Sequence, residues 1–195
     1  MSITMEQIKD LRGRTGAGVV DAKLALTESG GDTAKAILWL REKGKATVAK
    51  KSARETNEGV IGHYVHSNKK IAVLVSVVCE TDFVARNEKF QELAQNIAMH
   101  IAASDPLVVR PEDVSEDQVA AEKEFALKQL EQEGKPEAMR EKIVEGKLKK
   151  FREERALLSQ PYVKNPKQTI EQLVSEAVQE IGENITIKEF TRLAI

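Results

Sequence analysis

The chain is poor in the residues that carry covalent chemistry. Among its 195 residues there are one Cys and three His. A lone cysteine excludes an intrachain disulfide framework and any cysteine-rich metal site. Cys79 ends the apolar run IAVLVSVVC, where a small side chain buried in a strand accounts for it. His63 and His66 sit at an odd spacing on an extended segment, so they face opposite ways and do not chelate one ion from that strand. Aromatics make up 4% of the chain, which leaves the core to Leu, Ile, Val and Ala. Neither sign of charge dominates: at a net charge of −1 there is no basic excess of the kind a dedicated nucleic-acid binder uses against phosphate. No apolar run approaches the roughly 18 residues of a membrane span. The opening MSITMEQIKDLRGRTG lacks the apolar core of a secretory signal. The expectation is a soluble, cytoplasmic protein with no direct nucleic-acid or membrane partner.

Helical signals dominate what is present. Residues 1–46 read as three short helices. The first carries Ile3, Ile8 and Leu11 and stops at the glycines of TGAG, and the second ends at Gly30-Gly31. Asp32 is the N-cap of the third, TAKAILWLREK, whose stripe of Ala34, Ile37, Leu38 and Arg41 is expected to end at Gly44. The basic stretch 45–56 is either a linker or a further helix turn. Residues 59–80 read as a β-hairpin, with its second strand apolar on both faces as a centrally placed, doubly covered strand would be. Asn87 then caps a helix with Phe90, Leu93, Ala94, Ile97, Ala98 and Ile101 on one face, ending by Ser104.

Residues 114–158 read as a helical hairpin. A capping box at Ser115 and Gln118 starts it, Glu133 to Pro136 turns it, and Met139, Ile143, Val144, Leu148 and Phe151 line the returning seam. A narrow apolar seam on a highly charged pair describes a protruding two-helix coiled coil. A helix over 169–181 and a last strand complete the chain. The fold class is therefore α+β: a three-helix module over 1–50, then an α/β core over 56–195 with a small antiparallel sheet and the hairpin arm at about 114–158.

Converging catalytic groups are missing from the pattern. The glycines of GRTGAG have no strand before them and no Gly-Lys-Ser/Thr after them, so they do not make a phosphate loop. The third helix carries few base-reading side chains for a DNA reader. What remains is a protein that acts by contact, either on one partner or as a ribosome-associated or chaperone-like adaptor. The segment CETDFVARN bears on this, because it places Phe83 at the tip of a strand where the chain turns. Two readings stand: a lid over the next helix, or a wedge that fills a partner's pocket.

LRGRTGAGVVDAKLAL, TDFVARN, HIAASDP and SQPYVKNPKQT closely resemble the bacterial translation elongation factor Ts family, over essentially the whole chain. The resemblance implies a guanine-nucleotide exchange factor that binds the GTPase elongation factor Tu in its GDP form, with no cofactor and no catalytic residue of its own. It also implies that Thr81, Asp82, Phe83 and Val84 reach the partner's nucleotide site and disturb its Mg²⁺. Arg12, Gly16, Gly18, Val19 and Val20 of a ubiquitin-associated-like module would dock on the GTPase domain. Longer members of the family carry two related core halves, whereas one set of core strands is present here. The chain resembles the short type, in which a homodimer would give a two-plus-two complex. Longer members also often have two Met after TGAG, where this chain has Val19 and Val20.

Overall fold

A computed structural model describes residues 3–195, apart from the side chain of Lys45. In chain order its helices are α1 (Met5–Thr15), α2 (Val19–Glu28), α3 (Thr33–Lys51), α4 (Asp82–Ala85), α5 (Glu88–Ser104), α6 (Glu116–Gln132), α7 (Glu137–Arg155) and α8 (Ile170–Ile181). Its strands are β1 (Glu58–Val65), β2 (Ile71–Cys79), β3 (Pro161–Tyr162), β4 (Asn165–Thr169) and β5 (Ile185–Ala194).

The ends of the first helices follow from local chemistry. Thr4 and Gln7 cap α1 reciprocally, each side chain bonding the other's backbone amide. Gly16 ends α1 at φ 68°, a conformation that favours glycine, and its N–H returns to the Arg12 carbonyl. Asp32 accepts from the Ala34 and Lys35 amides and starts α3 as expected. The three helices close on Ile8, Leu11, Ala22, Ala25, Leu26 and Ala36.

Two expectations for α3 are corrected. Ala36, Ile37 and Leu40 pack on that cluster, whereas Ala34, Leu38 and Arg41 are exposed. The helix also runs through Gly44 to Lys51, so residues 45–51 of the basic stretch continue it and residues 52–56 lie beyond it. Gly44 is buried where α3 crosses α8, and a Cβ there would collide with the Gln179 side chain. The glycine lies inside the helix at this crossing and does not end it.

The main sheet is antiparallel in the order β1-β2-β5, so β2 is central. Its hairpin pairs Glu58 with Cys79 and Val65 with Ala72. α5 lies across β1 and β2 and α8 packs on β5, both over the row Val73, Val75, Val77 and Cys79. Phe90, Leu93, Ala94, Ile97, Ala98 and Ile101 are all buried, as the stripe requires. Gly62 allows the closest approach of this helix: a Cβ there would lie 2.5 Å from the Ala94 carbonyl oxygen. The expected double cover of β2 is not found. Both core helices lie on one side, and the other side leaves Ile61, Val65, Leu74 and Leu193 exposed.

α6 and α7 form the expected hairpin around Ala126, Leu130 and Val144. Ser115 accepts from the Gln118 amide, but the reciprocal bond of a capping box is not formed. Pro136 is the N-cap of α7 and not its first helical residue. Met139 is exposed, outside the seam, and the Phe151 ring lies 3.6 Å beneath the Arg155 guanidinium. The small β3–β4 hairpin had no counterpart in the sequence pattern.

Candidate partner-binding site

The chain leaves β2 through Cys79 and Glu80 and turns at Thr81 into the one-turn helix α4. Thr81 is still extended (φ −128°, ψ 155°), and its hydroxyl oxygen accepts from the Val84 amide at 3.4 Å, which makes it the N-cap. The tip that sequence reasoning took for a plain turn is therefore a capped helical turn. Its side chains divide sharply. Ala85 is buried and Val84 is half-buried against the main core. Asp82 pairs with Arg86 at 2.9 Å. Phe83, between them, is 80% exposed, so it is not a lid over α5.

The backbone beneath Phe83 is anchored from the α8–β5 turn. Glu183 Oε2 accepts from the amides of Glu80 and Thr81 at 3.1 and 3.0 Å, and its Oε1 accepts from the Thr81 hydroxyl at 2.7 Å. Asn184 returns the contact, its amide donating to Glu80 Oε1 at 2.6 Å. That bond, followed by the attraction of Arg54, holds the Glu80 carboxyl below the usual carboxylate range. The Cys79 thiol donates to the Thr81 carbonyl at 3.2 Å. Burial, then the nearby Glu183 carboxylate, pushes that thiol up, which leaves it a neutral structural group. Glu80, Glu183 and Asn184 were not singled out by sequence reasoning. The one available signal was their place: the two that follow the helix stop at Gly182 fall where a strand begins beside the end of β2.

The other predicted contact residues gather at the α1–α2 corner. Arg12, Gly16, Gly18, Val19 and Val20 are all exposed there. Arg12 Nε donates to the Ala17 carbonyl at 3.2 Å, and the Thr15 hydroxyl accepts from the Ala17 amide at 3.3 Å. The corner is thereby fixed, with Val20 78% exposed at the start of α2. Among the described residues no hydrogen bond or ion pair links this corner to the Phe83 tip.

The remaining candidate ligands lie apart. His63 is exposed on the open side of the sheet, opposite Leu74. His66 Nδ1 lies 3.1 Å from the Tyr64 hydroxyl. His100 is fully buried: its Nδ1 accepts from the Val163 amide at 3.3 Å and its Nε2 lies 3.1 Å from Gln160 Oε1. Among the described residues no group of three or more His, Cys, Asp or Glu is arranged to hold a metal ion, and no helix is long and apolar enough to cross a membrane.

An α+β chain built in this way has full-length relatives. The family model described as Elongation factor TS matches residues 30–195. The chain is 52% identical over 195 residues to Elongation factor Ts of Nitratidesulfovibrio vulgaris, covering 100% of this chain and 98% of the relative. It is 51% identical to that of Solidesulfovibrio magneticus, covering 100% and 97%. It is 52% identical over 192 residues to that of Rubrobacter xylanophilus, covering 98% of each. The chain belongs to the elongation factor Ts family, which places it among the factors of translation elongation.

Proposed function

We propose that the chain is a guanine-nucleotide exchange factor for elongation factor Tu, acting in the cytoplasm on the GDP-bound GTPase. The observation that carries this reading is the Phe83 ring, 80% exposed on a turn whose other residues are anchored or buried. A large apolar side chain held out from a rigid turn supports a wedge for a pocket on another molecule. At the partner's nucleotide site the ring would part side chains near the phosphates and displace groups that support Mg²⁺. Such a metal is held by few protein ligands, with phosphate oxygens and water completing its shell. Weakening it leaves the diphosphate charge poorly compensated. No bond is made or broken on this chain, so Thr81, Asp82, Phe83 and Val84 are contact residues and the protein is not an enzyme in the covalent sense. Exchange requires only that factor and nucleotide weaken each other's binding, and linkage makes that reciprocal.

Residues 1–50 act in this reading as a ubiquitin-associated-like docking module, presenting Arg12, Gly16, Gly18, Val19 and Val20 to the GTPase domain. Residues 56–195 are the core that delivers the wedge, with the α6–α7 hairpin as a coiled-coil contact arm. The open side of the sheet supports a homodimer, since Ile61, Val65, Leu74 and Leu193 are exposed there on three strands. Two such chains would bind two GTPases.

Release of labelled GDP from elongation factor Tu, followed by stopped flow, tests the wedge. Phe83→Ala is expected to lower exchange about tenfold to more than a hundredfold, from roughly 1.5–3 kcal/mol of lost apolar burial in the complex. Asp82→Ala is expected to lose less. A well-folded Phe83→Ala chain that releases GDP at the unaltered rate refutes the mechanism. Light scattering at micromolar concentration tests the dimer: twice the 21.7 kDa chain mass is expected, and Leu74→Glu is expected to halve it.

A further inference from the structure

The α8–β5 turn does more than join two elements. Three donors from the β2–α4 corner converge on one carboxylate, that of Glu183: the amides of Glu80 and Thr81 and the Thr81 hydroxyl, at 3.1, 3.0 and 2.7 Å. Bonds to an ionised acceptor are the strong kind. Their arrangement also fixes a direction. Because the Thr81 hydroxyl hydrogen points to Glu183, its lone pairs are left for the Val84 amide at 3.4 Å, the bond that starts α4. Glu183 thereby sets both the backbone and the cap polarity of the turn that carries Phe83.

Glu183 is itself held. Gly182 ends α8 at φ 92°, and its carbonyl accepts from Lys51 Nζ at 2.6 Å. On the other side Asn184 Nδ2 donates to the Arg54 carbonyl at 2.8 Å, and the Asn184 amide donates to Glu80 at 2.6 Å. Residues at and just beyond the end of α3 thus brace the turn that braces the tip.

We propose that Glu183 is a positioning residue for nucleotide exchange: its carboxylate presets the Thr81 corner so that Phe83 is presented outward before the partner arrives. The inference rests on the reading of Phe83 as the wedge. Without the clamp, ordering the corner is charged to the step in which the ring inserts, whereas docking through the α1–α2 corner is untouched. Glu183→Ala should therefore lower the maximal GDP-release rate about tenfold while the concentration of factor giving half that rate stays the same. Glu183→Gln keeps one carbonyl oxygen for the two amides but turns an N–H donor toward the Thr81 hydroxyl, so it should restore the rate only in part.

The deciding measurement combines these with Phe83→Ala in one double-mutant cycle. If Glu183 acts through Phe83, then Glu183→Ala has no further effect in the Phe83→Ala background. Additive losses overturn the proposal, and so does a full maximal rate from a folded Glu183→Ala chain while Phe83→Ala remains impaired. If Phe83→Ala exchanges at the unaltered rate, the wedge reading fails first and this inference with it. Should Glu183→Ala not fold, hydrogen exchange on the unaltered chain decides: protected Glu80 and Thr81 amides are expected, and free exchange at both overturns the clamp.

Discussion

The one-turn helix α4 and the long helix α5 that follows it each carry a phenylalanine, and the two rings meet opposite fates. Phe90 is fully buried against the sheet, whereas Phe83 is 80% exposed. Phe90 is the first member of a stripe that returns every three or four residues down to Ile101, so its direction is set by its own helix and the strands beneath. Phe83 lies on a helix of four residues, too short for a stripe, whose inward positions are taken by Val84 and Ala85. Among the described residues, the ring is left largely in solvent. The difference teaches that similar residues close in sequence can take different environments, one in this protein's core and the other in solvent.

Substituting each ring in turn breaks the comparison most directly. Phe90→Ala is expected to cost about 3–5 kcal/mol of stability, read by denaturant unfolding of the free chain. Phe83→Ala is expected to leave stability within about 0.5 kcal/mol of the unaltered chain, with its effect confined to GDP release. Equal destabilisation by the two would show that Phe83 packs locally after all. The next largest effect is Gly62→Ala. Its Cβ meets the Ala94 backbone, which has little room to move, so a loss of about 1–3 kcal/mol is expected. It should not change maximal exchange by the chain that remains folded.

The smallest effect is pH dependence on the α5 side of the comparison. Burial holds the His100 imidazole below its ordinary value of 6.5. The Val163 amide also occupies Nδ1, so the neutral ring with its proton on Nε2 fits the site. The unfolded chain takes up this proton more readily than the folded one. Stability is thus fully present above pH 6.5 and declines as pH falls below it. Thermal unfolding of the free chain across that range should show the decline. Ring resonances of His100 followed by NMR should titrate below the ordinary value, and titration above it would contradict the burial.

Much of the fold was legible because it rests on local signals. Asn87 and Asp32 cap helices, Gly16 and Gly182 end them, and the stripe from Phe90 to Ile101 faces the core. The failures share a cause, which is that a distant segment decides the outcome. Gly44 reads as a helix end until α8 is seen to cross it. The stretch NPKQT lacks apolar alternation, yet it pairs with Pro161 and Tyr162. β2 reads as covered on both faces because Leu74 and Val78 are apolar, while both core helices pack on the other side. At the candidate site the exposed residues were named from the sequence. Glu183, which holds their backbone, was not, because it lies about a hundred residues away and its one local mark is its place after the helix stop at Gly182.

The continuity of α3 sets a phase relation between the two ends of the molecule. The helix is 19 residues long, roughly 28 Å at 1.5 Å per residue. Its first turns belong to the cluster with Leu11 and Leu26, and its last turns, from Gly44 through Val48 to Lys51, lie against the core. One residue inserted near Glu42 would leave both ends able to form their own contacts. It would also rotate the α1–α2 corner by about 100° about the helix axis relative to Phe83. On the proposed reading, the protein would then behave like a key whose teeth are intact but cut at the wrong angle to the bow: stable, correctly capped at every helix, and unable to engage its partner through both regions at once.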